Sequence, residues 1–581
     1  MAPESCPTTM APTWFGPEGA PLFGWFHAPA EGGARGVVVL CPPVGLEMLI
    51  AYRTMRILAD RLAGTGFGVL RFAYATTGDS AGESTEPDRV ARWLASIADA
   101  VTFARDAGAT RVVVVGLRLG ATLAAEASRS CPPVDGLVLW DPCESGASFL
   151  REERLLFRLG VPAQQRTAHP DGVVEGPGVL YPPETVAALA RLDVEALLGR
   201  ADDTEADTDV VLPGVGRVLV VTRSESRARA GVQRLASADG VESFEAPGQP
   251  ALFDWIRLAV PVATLDRIVG WIGGFLPDNR EDIEPQTREE AVVGTTPDGR
   301  AVRERVVRLG EAGLFGIMTE VAGAGDAAMI LTNAAPPACH IGPARLWVDL
   351  ARTWAGLGLR VLRFDDAGIG DSPGGDDFAA PPVYSAATVR DVVVAVNSVR
   401  AAGTRDVSVT GLCAAAWACL LAAARVQVET VNALNPSVWD VRPPRYLTQL
   451  RTAELAPGVR GGRVPDRATL RSRVRGAARI GARRFLPEPL WWRLGRSGHI
   501  EAPAGMITPL ALRGTRVRLL FGRREGAAFR ERRGEGLISH FGPRGLLEAH
   551  EAKDIDHALM SLQARDAVTN RLSEWIATDR A

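Results

Sequence analysis

The sequence predicts an α/β architecture built twice: two units in tandem, each a mostly parallel sheet covered by helices and carrying a cap insertion. Three observations predict it. Short apolar, β-branched runs alternate with longer stretches of helical period, the pattern of a parallel sheet with helices on both faces. The same ordered set of segments occurs in both halves of the 581-residue chain: Leu70 to Leu362 and Gly78 to Gly370 are each 292 residues apart, and Gly116 to Gly411 is 295. A period this long marks duplicated domains, since solenoid repeats run ~20–50 residues. The length itself calls for at least two globular units at roughly 100–200 residues each.

In half one the elements follow in order. The run Val37-Val38-Val39-Leu40 leads into Cys-Pro-Pro, and an amphipathic stretch covers about 55–63. GFGVLRF (66–72) has the length and branching of a buried strand, and Gly78-Asp79-Ser80 closes the next turn. A helical pattern spans about 90–107, and the strand 112–115 runs straight into GLRLG (116–120) and an Ala-rich helix. Strands at 137–140 and 218–221 complete the half. Half two repeats the order: Met329-Ile330-Leu331, a helix over 346–355, GLRVLRFDD, the turn Gly370-Asp371-Ser372, and the strand 407–410 running into GLCAA (411–415). The polar, Pro-containing segment LPDNREDIEPQTREE (276–290) reads as a linker between units at 20–275 and 291–581.

Composition bounds the function. Hydrophobic residues are 46% and charged residues 23%, an ordinary soluble balance that argues against a disordered chain and a polytopic membrane protein. The net charge of -3 argues against a globally basic nucleic-acid binder. No apolar run reaches the ~18 residues of a spanning helix, so no integral membrane segment is expected. The first residues lack a basic region followed by an apolar core, so no secretory signal is expected. Seven scattered Cys without CxxC spacing disfavour a disulfide framework or a zinc knuckle, and a reducing cytoplasm is the expected setting. The seven His offer no HxH or HExxH pattern, and neither glycine turn is a full GxGxxG, so no metal or other cofactor is expected.

A strand that turns sharply into a helix at G-x-Nuc-x-G is a nucleophile elbow. Small residues must flank the central side chain, which stands above the sheet at the positive end of the helix. Both halves place this turn after the Gly-Asp-Ser turn and one helix. On these residues the chain resembles the α/β-hydrolase superfamily over nearly its whole length. The first elbow, GLRLGATLA, looks like one of the two exosortase-associated hydrolase types, and the second, GLCAAAWACLL, looks like the other. The resemblance implies esterase-like chemistry and a setting of exopolysaccharide or surface-protein export.

The two elbows differ chemically. Arg118 stands at the centre of the first, and a guanidinium cannot act as a nucleophile. Gln249 stands near the position where the family would place His. Arg118 either binds an anion or marks a decayed site, held by a carboxylate. Cys413 stands at the centre of the second elbow, where a helix N-terminus favours the thiolate. The alternative is a small buried hydrophobe, as expected for Cys419. The resemblance makes His557, in KDIDHALMS, the base, against the alternative of a surface His. It makes Glu525, in LLFGRREGAAF, the acid, with Asp554 and Asp556 as alternatives. The N–H of Ala414, next to the nucleophile, is one oxyanion donor, and Ala335 in TNAAPPACHIGP is chosen for the other because Pro336 and Pro337 have no N–H. His340 lies in that same loop, whereas His499, His540 and His550 have no motif support. Ala415 stands where the family usually has Gly.

The caps carry opposite charge. Residues 141–210 hold 14 carboxylates and 6 arginines, whereas 441–500 hold 14 arginines and 3 carboxylates, with a basic helical pattern over 463–484. A basic cap steers acidic partners, such as an acyl ester or thioester carried on coenzyme A or an acyl carrier protein. Attraction between the caps, docking the two halves, is the structural alternative, and rest on an anionic membrane surface is a third. The resulting expectation is an acyl hydrolase or acyltransferase with one working half, against an inert scaffold of the same fold.

Overall fold

The computed structural model describes residues 9–30, 32–194, 212, 214–223, 230–247, 252, 259–333, 339–374, 383–443 and 486–580. Ala335, Gln249 and the basic run 463–484 lie outside the described residues. The chain divides into two compact units: Met1–Arg158, Ala168–Val306 and Ala344–Asp349 form the first, and Leu159–Thr167, Val307–Pro343 and Leu350–Ala581 form the second.

The first sheet is built from β1 (Met10–Phe15), β2 (Leu22–His27), β3 (Val37–Cys41), β4 (Gly68–Phe72), β5 (Val112–Leu117), β6 (Val134–Trp140), β9 (Val215–Arg223) and β10 (Val241–Ala246). A separate hairpin pairs β7 (Val174–Gly176) with β8 (Val179–Tyr181). The sheet order is β1-β2-β4-β3-β5-β6-β9-β10, antiparallel at β1–β2 and β2–β4 and parallel from there on. The period-2 geometry of a strand divides each segment between two faces. Val37, Val39 and Cys41 of β3 pack with Trp93, Ile97 and Val101 of the helix Arg89–Asp106, while Val38 and Leu40 pack with Leu58 and Leu62 of the helix Leu46–Gly64. Each such buried Val or Leu stabilises by roughly 1.5–3 kcal/mol. This explains why the central strands read as unbroken apolar runs.

The second sheet repeats the plan with β11 (Glu290–Thr295), β12 (Ala301–Leu309), β13 (Leu314–Val321), β14 (Ala327–Thr332), β15 (Arg360–Phe364), β16 (Asp406–Leu412), β17 (Thr430–Leu434), β18 (Arg516–Phe521) and β19 (Leu547–Glu551). Its order is β11-β12-β13-β15-β14-β16-β17-β18-β19, antiparallel at β13–β15 and parallel from β15 to β19. The fold is therefore α/β twice over, each mostly parallel sheet having the strand order of an α/β-hydrolase.

One helix and four strands differ from the sequence reading. The amphipathic stretch at about 55–63 is the second half of a longer helix, Leu46–Gly64. The aromatic strands β1 and β2 and the edge strands β10 and β19 were not anticipated. VESFEA and LEAHE carry alternate polar residues on exposed edges and lack the signature of a buried strand. The polar segment 276–290 is tied to the first unit: Glu281 accepts from Arg111 Nε at 2.8 Å and from the Thr110 N–H at 3.0 Å.

Candidate active site

At the end of β16 the chain turns at Cys413 into the helix Ala414–Ala423. Cys413 adopts φ 54° and ψ -110°, a backbone state that costs a non-glycine residue about 1–3 kcal/mol unless its surroundings enforce it. Two features enforce it. The Cys413 N–H donates to the Leu434 carbonyl at 2.8 Å. Gly411 lets the helix pass close by, since a Cβ there would lie 2.5 Å from the Ala415 carbonyl carbon. The first half has the same turn: Arg118 has φ 57°, its N–H donates to Trp140 O at 2.9 Å, and a Cβ on Gly120 would lie 2.2 Å from Pro42 O. In the second half Ala415 takes the place of that last glycine and is fully buried.

Three residues far apart in sequence meet at Cys413. His557, in the loop after β19, has Nε2 3.2 Å from the Cys413 Sγ. Its Nδ1 is 2.9 Å from Glu525 Oε1. Glu525 lies in the first turn of the helix Arg523–Glu531 after β18 and is 4% exposed. Cys413 is half-buried and the His557 side chain 19% exposed. Asp556, an alternative acid, instead accepts from the Met560 and Ser561 N–H groups and the Ser561 hydroxyl. Asp554 is half-buried in the same loop, and it is Glu525 that meets the ring.

The electrostatics favour a charged pair. Burial pushes the Cys413 thiol up, but the His557 charge and hydrogen bonds from His557, Ser437 and Tyr384 outweigh it and bring the thiol below its ordinary value. Burial likewise pushes His557 down, and the Cys413 charge, the Cys413 hydrogen bond and Glu525 reverse it and hold the ring protonated well above its usual range. The two groups titrate as one coupled pair. Ala414 opens the helix, and its N–H is among the first four, which have no acceptor within the helix.

Three further residues belong to the site. Tyr384 Oη lies 3.8 Å and Ser437 Oγ 3.7 Å from the Cys413 Sγ. Asn435 is fully buried at φ 45°. Its Nδ2 donates to the carbonyls of Asp556 at 3.0 Å and His557 at 3.1 Å, and its Oδ1 accepts from the Gly522 N–H at 2.8 Å. One amide thus links the His557 loop to the residue that caps the Glu525 helix. A sequence signal existed: Asn435-Pro436-Ser437 ends β17 as Asp141-Pro142-Cys143 ends β6 in half one.

The first elbow is filled by charge. The Arg118 guanidinium meets Glu47 at 3.0 and 3.2 Å, Asp141 at 3.5 Å, and Glu152. Asp141 also pairs with Arg223. Glu153 beside them is buried, which together with the Glu47 charge raises its carboxyl to about 8, and it accepts the Tyr181 hydroxyl at 3.0 Å.

The other histidines stand apart from this chemistry. Buried His340 bonds Asp365 through its backbone N–H at 2.6 Å and its Nδ1 at 2.9 Å. Cys339, His340 and Asp365 bring three metal-ligand atoms within 4.8 Å of one another. Yet the Asp365 carboxylate also accepts the Asp371 N–H at 3.0 Å, so its oxygens are engaged in holding backbone. His499 bonds Ser497, His540 packs edge-on against Phe541, and His550 lies 3.4 Å from Arg571. No helix among the described residues is long and apolar enough to cross a membrane.

No family model matches the sequence, and no curated protein matches it. Solved structures similar to it include an esterase of Pyrococcus furiosus, at 14% identity and TM-score 0.32, covering 47% of this chain and 92% of that one. An α/β serine hydrolase without lid from Xanthomonas campestris is similar at 14% identity and TM-score 0.26, covering 48% and 97%. The esterase LipW of Mycobacterium marinum is similar at 19% identity and TM-score 0.28, covering 47% and 82%.

Proposed function

We propose that the chain is an acyl hydrolase or acyltransferase, esterase- or thioesterase-like, whose second half carries the chemistry and whose first half is non-catalytic. The observation that carries this reading is the unbroken contact Cys413–His557–Glu525 at the strand–helix turn, 3.2 and 2.9 Å long. A nucleophile, a base and an orienting acid within hydrogen-bond reach are the requirement for covalent acyl transfer.

In this reading the Cys413 thiolate adds to the acyl carbonyl carbon, and the carbonyl pair moves onto oxygen. The Ala414 N–H supports that oxyanion, with an N–H at Ala335 as the proposed second donor. His557 gives its Nε2 proton to the departing group as the bond to it breaks, leaving the acyl group on sulfur. Water or another acceptor then gives a proton to Nε2 and displaces the thiolate. Glu525 holds Nδ1–H so that Nε2 faces the sulfur. No such sequence can begin at Arg118, and an anion-binding role there would require one of its carboxylates to give way. The elbow sequences support an exosortase-associated type, and the basic composition of 441–500 supports a donor carried on coenzyme A or an acyl carrier protein.

The test is Cys413→Ala assayed with aryl esters and acyl-coenzyme A donors. The expected result is a loss of more than about a thousandfold, the scale for losing a nucleophile that works as part of a unit. Unchanged turnover would leave the alternative, an inert binding scaffold of the same fold.

A further inference from the structure

The Cys413 sulfur has more hydrogen-bonding partners than a nucleophile–base pair requires. Ser437 Oγ and Tyr384 Oη stand 3.7 and 3.8 Å from it, ordinary lengths for hydrogen bonds to sulfur, and 3.2 Å from each other. Both are fixed by their surroundings. Tyr384 is 3% exposed, and its ring stands edge-on to Trp417 at 5.5 Å. It immediately precedes Ser385, whose hydroxyl caps the helix Ala386–Ala401 by accepting from the Thr388 N–H. Ser437 follows Asn435, which is locked as described, and Pro436, whose ring fixes φ. A thiolate only accepts hydrogen bonds, so both hydroxyls can donate to it alongside His557 Nε2.

We propose that this hydroxyl pair makes the site selective for acyl thioesters over unactivated alkyl esters. The inference rests on the acyl-transfer reading above and narrows its substrate class. Donors aimed at the sulfur stabilise it as an anion, which makes Cys413 a better leaving group as well as a populated nucleophile. In the tetrahedral adduct of an alkyl ester, the Cys413 sulfur competes to leave with an alkoxide. The conjugate acid of the alkoxide is about as weak as water, far weaker than an ordinary thiol with its pKa of about 8.5. That adduct mostly reverts. With a thioester both departing groups are thiolates, and forward collapse competes with reversion.

The step balances. The Cys413 thiolate forms a carbon–sulfur bond as the carbonyl pair moves to oxygen. That pair returns as the carrier carbon–sulfur bond breaks, and the carrier thiolate takes the His557 Nε2 proton. Water then adds through oxygen to the acyl carbon and gives a proton to Nε2. The bond to Cys413 breaks, restoring thiolate and imidazolium and releasing a carboxylic acid.

The experiment compares the full-length protein with Tyr384→Phe and Ser437→Ala, both of which preserve local volume. The probes are the N-acetylcysteamine thioester and the ethyl ester of the same acyl chain, run over several chain lengths. The expected result is a kcat/KM ratio strongly favouring the thioester, falling about tenfold with each hydroxyl removed, the effect of one hydrogen bond to a charged group. The acid limb of Cys413 alkylation by iodoacetamide should also move to higher pH in both variants, a shift that a merely structural role would not produce. Equal turnover of the two probes by the unaltered protein, with Cys413 acylated by both, would overturn this inference alone. So would variants that change neither ratio nor limb. Failure of Cys413 to take an acyl group from either probe would overturn the acyl-transfer reading and this inference with it.

Discussion

Burial by itself would hold a thiol above its ordinary pKa, and Cys413 departs from this because of what touches it. Burial works against the charge, and His557 outweighs burial through both its charge and its hydrogen bond. The sign of the pH dependence follows. Thiolate persists below the ordinary thiol range, and reactivity is lost as pH falls through the lowered value. His557→Gln removes the two largest opposing effects and leaves burial opposed only by the Ser437 and Tyr384 hydroxyls, so the Cys413 pKa should rise. Iodoacetamide alkylation near pH 7 should then slow by more than about tenfold, one pKa unit being a factor of ten in thiolate. An unchanged rate–pH profile would show that His557 does not set the charge. Cys413 and His557 were legible in the sequence because the elbow names one and the loop before the last helix names the other. Tyr384 was not, because a hydroxyl in a loop carries no pattern until folding brings it to the sulfur, and the signal at Ser437 lay only in the match of its Asn-Pro-Ser turn to Asp141-Pro142-Cys143.

At the scale of elements, the site is a set of loop ends at one edge of β16, β17, β18 and β19, aligned by parallel pairing. The glycine turn itself could be read from residues, since Gly411 is required by a 2.5 Å approach of backbone. For the carboxylate facing His557 the resemblance pointed to Glu525, with Asp554 and Asp556 left as alternatives, and it is Glu525 that meets the ring. Asp556 is adjacent in sequence but caps its own turn, and Glu525 reaches the ring because its helix starts at Gly522, held by Asn435. Under the proposed function Asn435 is a positioning residue. Asn435→Ala should lower kcat about 10–100-fold, the cost of a small misplacement of reacting groups, with KM little changed. The same variant should weaken the Cys413–His557 coupling and raise the pH at which alkylation begins. Full activity with an unmoved profile would assign Asn435 to stability alone.

Over the whole molecule one plan is used twice with different chemistry at the turn. The two sheets share their strand order, and both elbows place a non-glycine residue at φ near 55°. The duplication was legible because near-constant offsets survive where identities do not. The edge strands β10 and β19 were not, because half-exposed polar strands lack a distinctive period. In one unit the central residue is Arg118 among Glu47, Asp141 and Glu152, a charge cluster that holds itself together. In the other it is a sulfur beside an imidazole. The central claim is that acyl chemistry runs through that sulfur. Rapid-quench mass spectrometry of the full-length protein mixed with an acyl thioester tests it most directly. The expected result is an acyl mass on the peptide containing Cys413, formed at least as fast as turnover and missing in Cys413→Ala. Turnover with no such adduct, or with the acyl group on another residue, would contradict it.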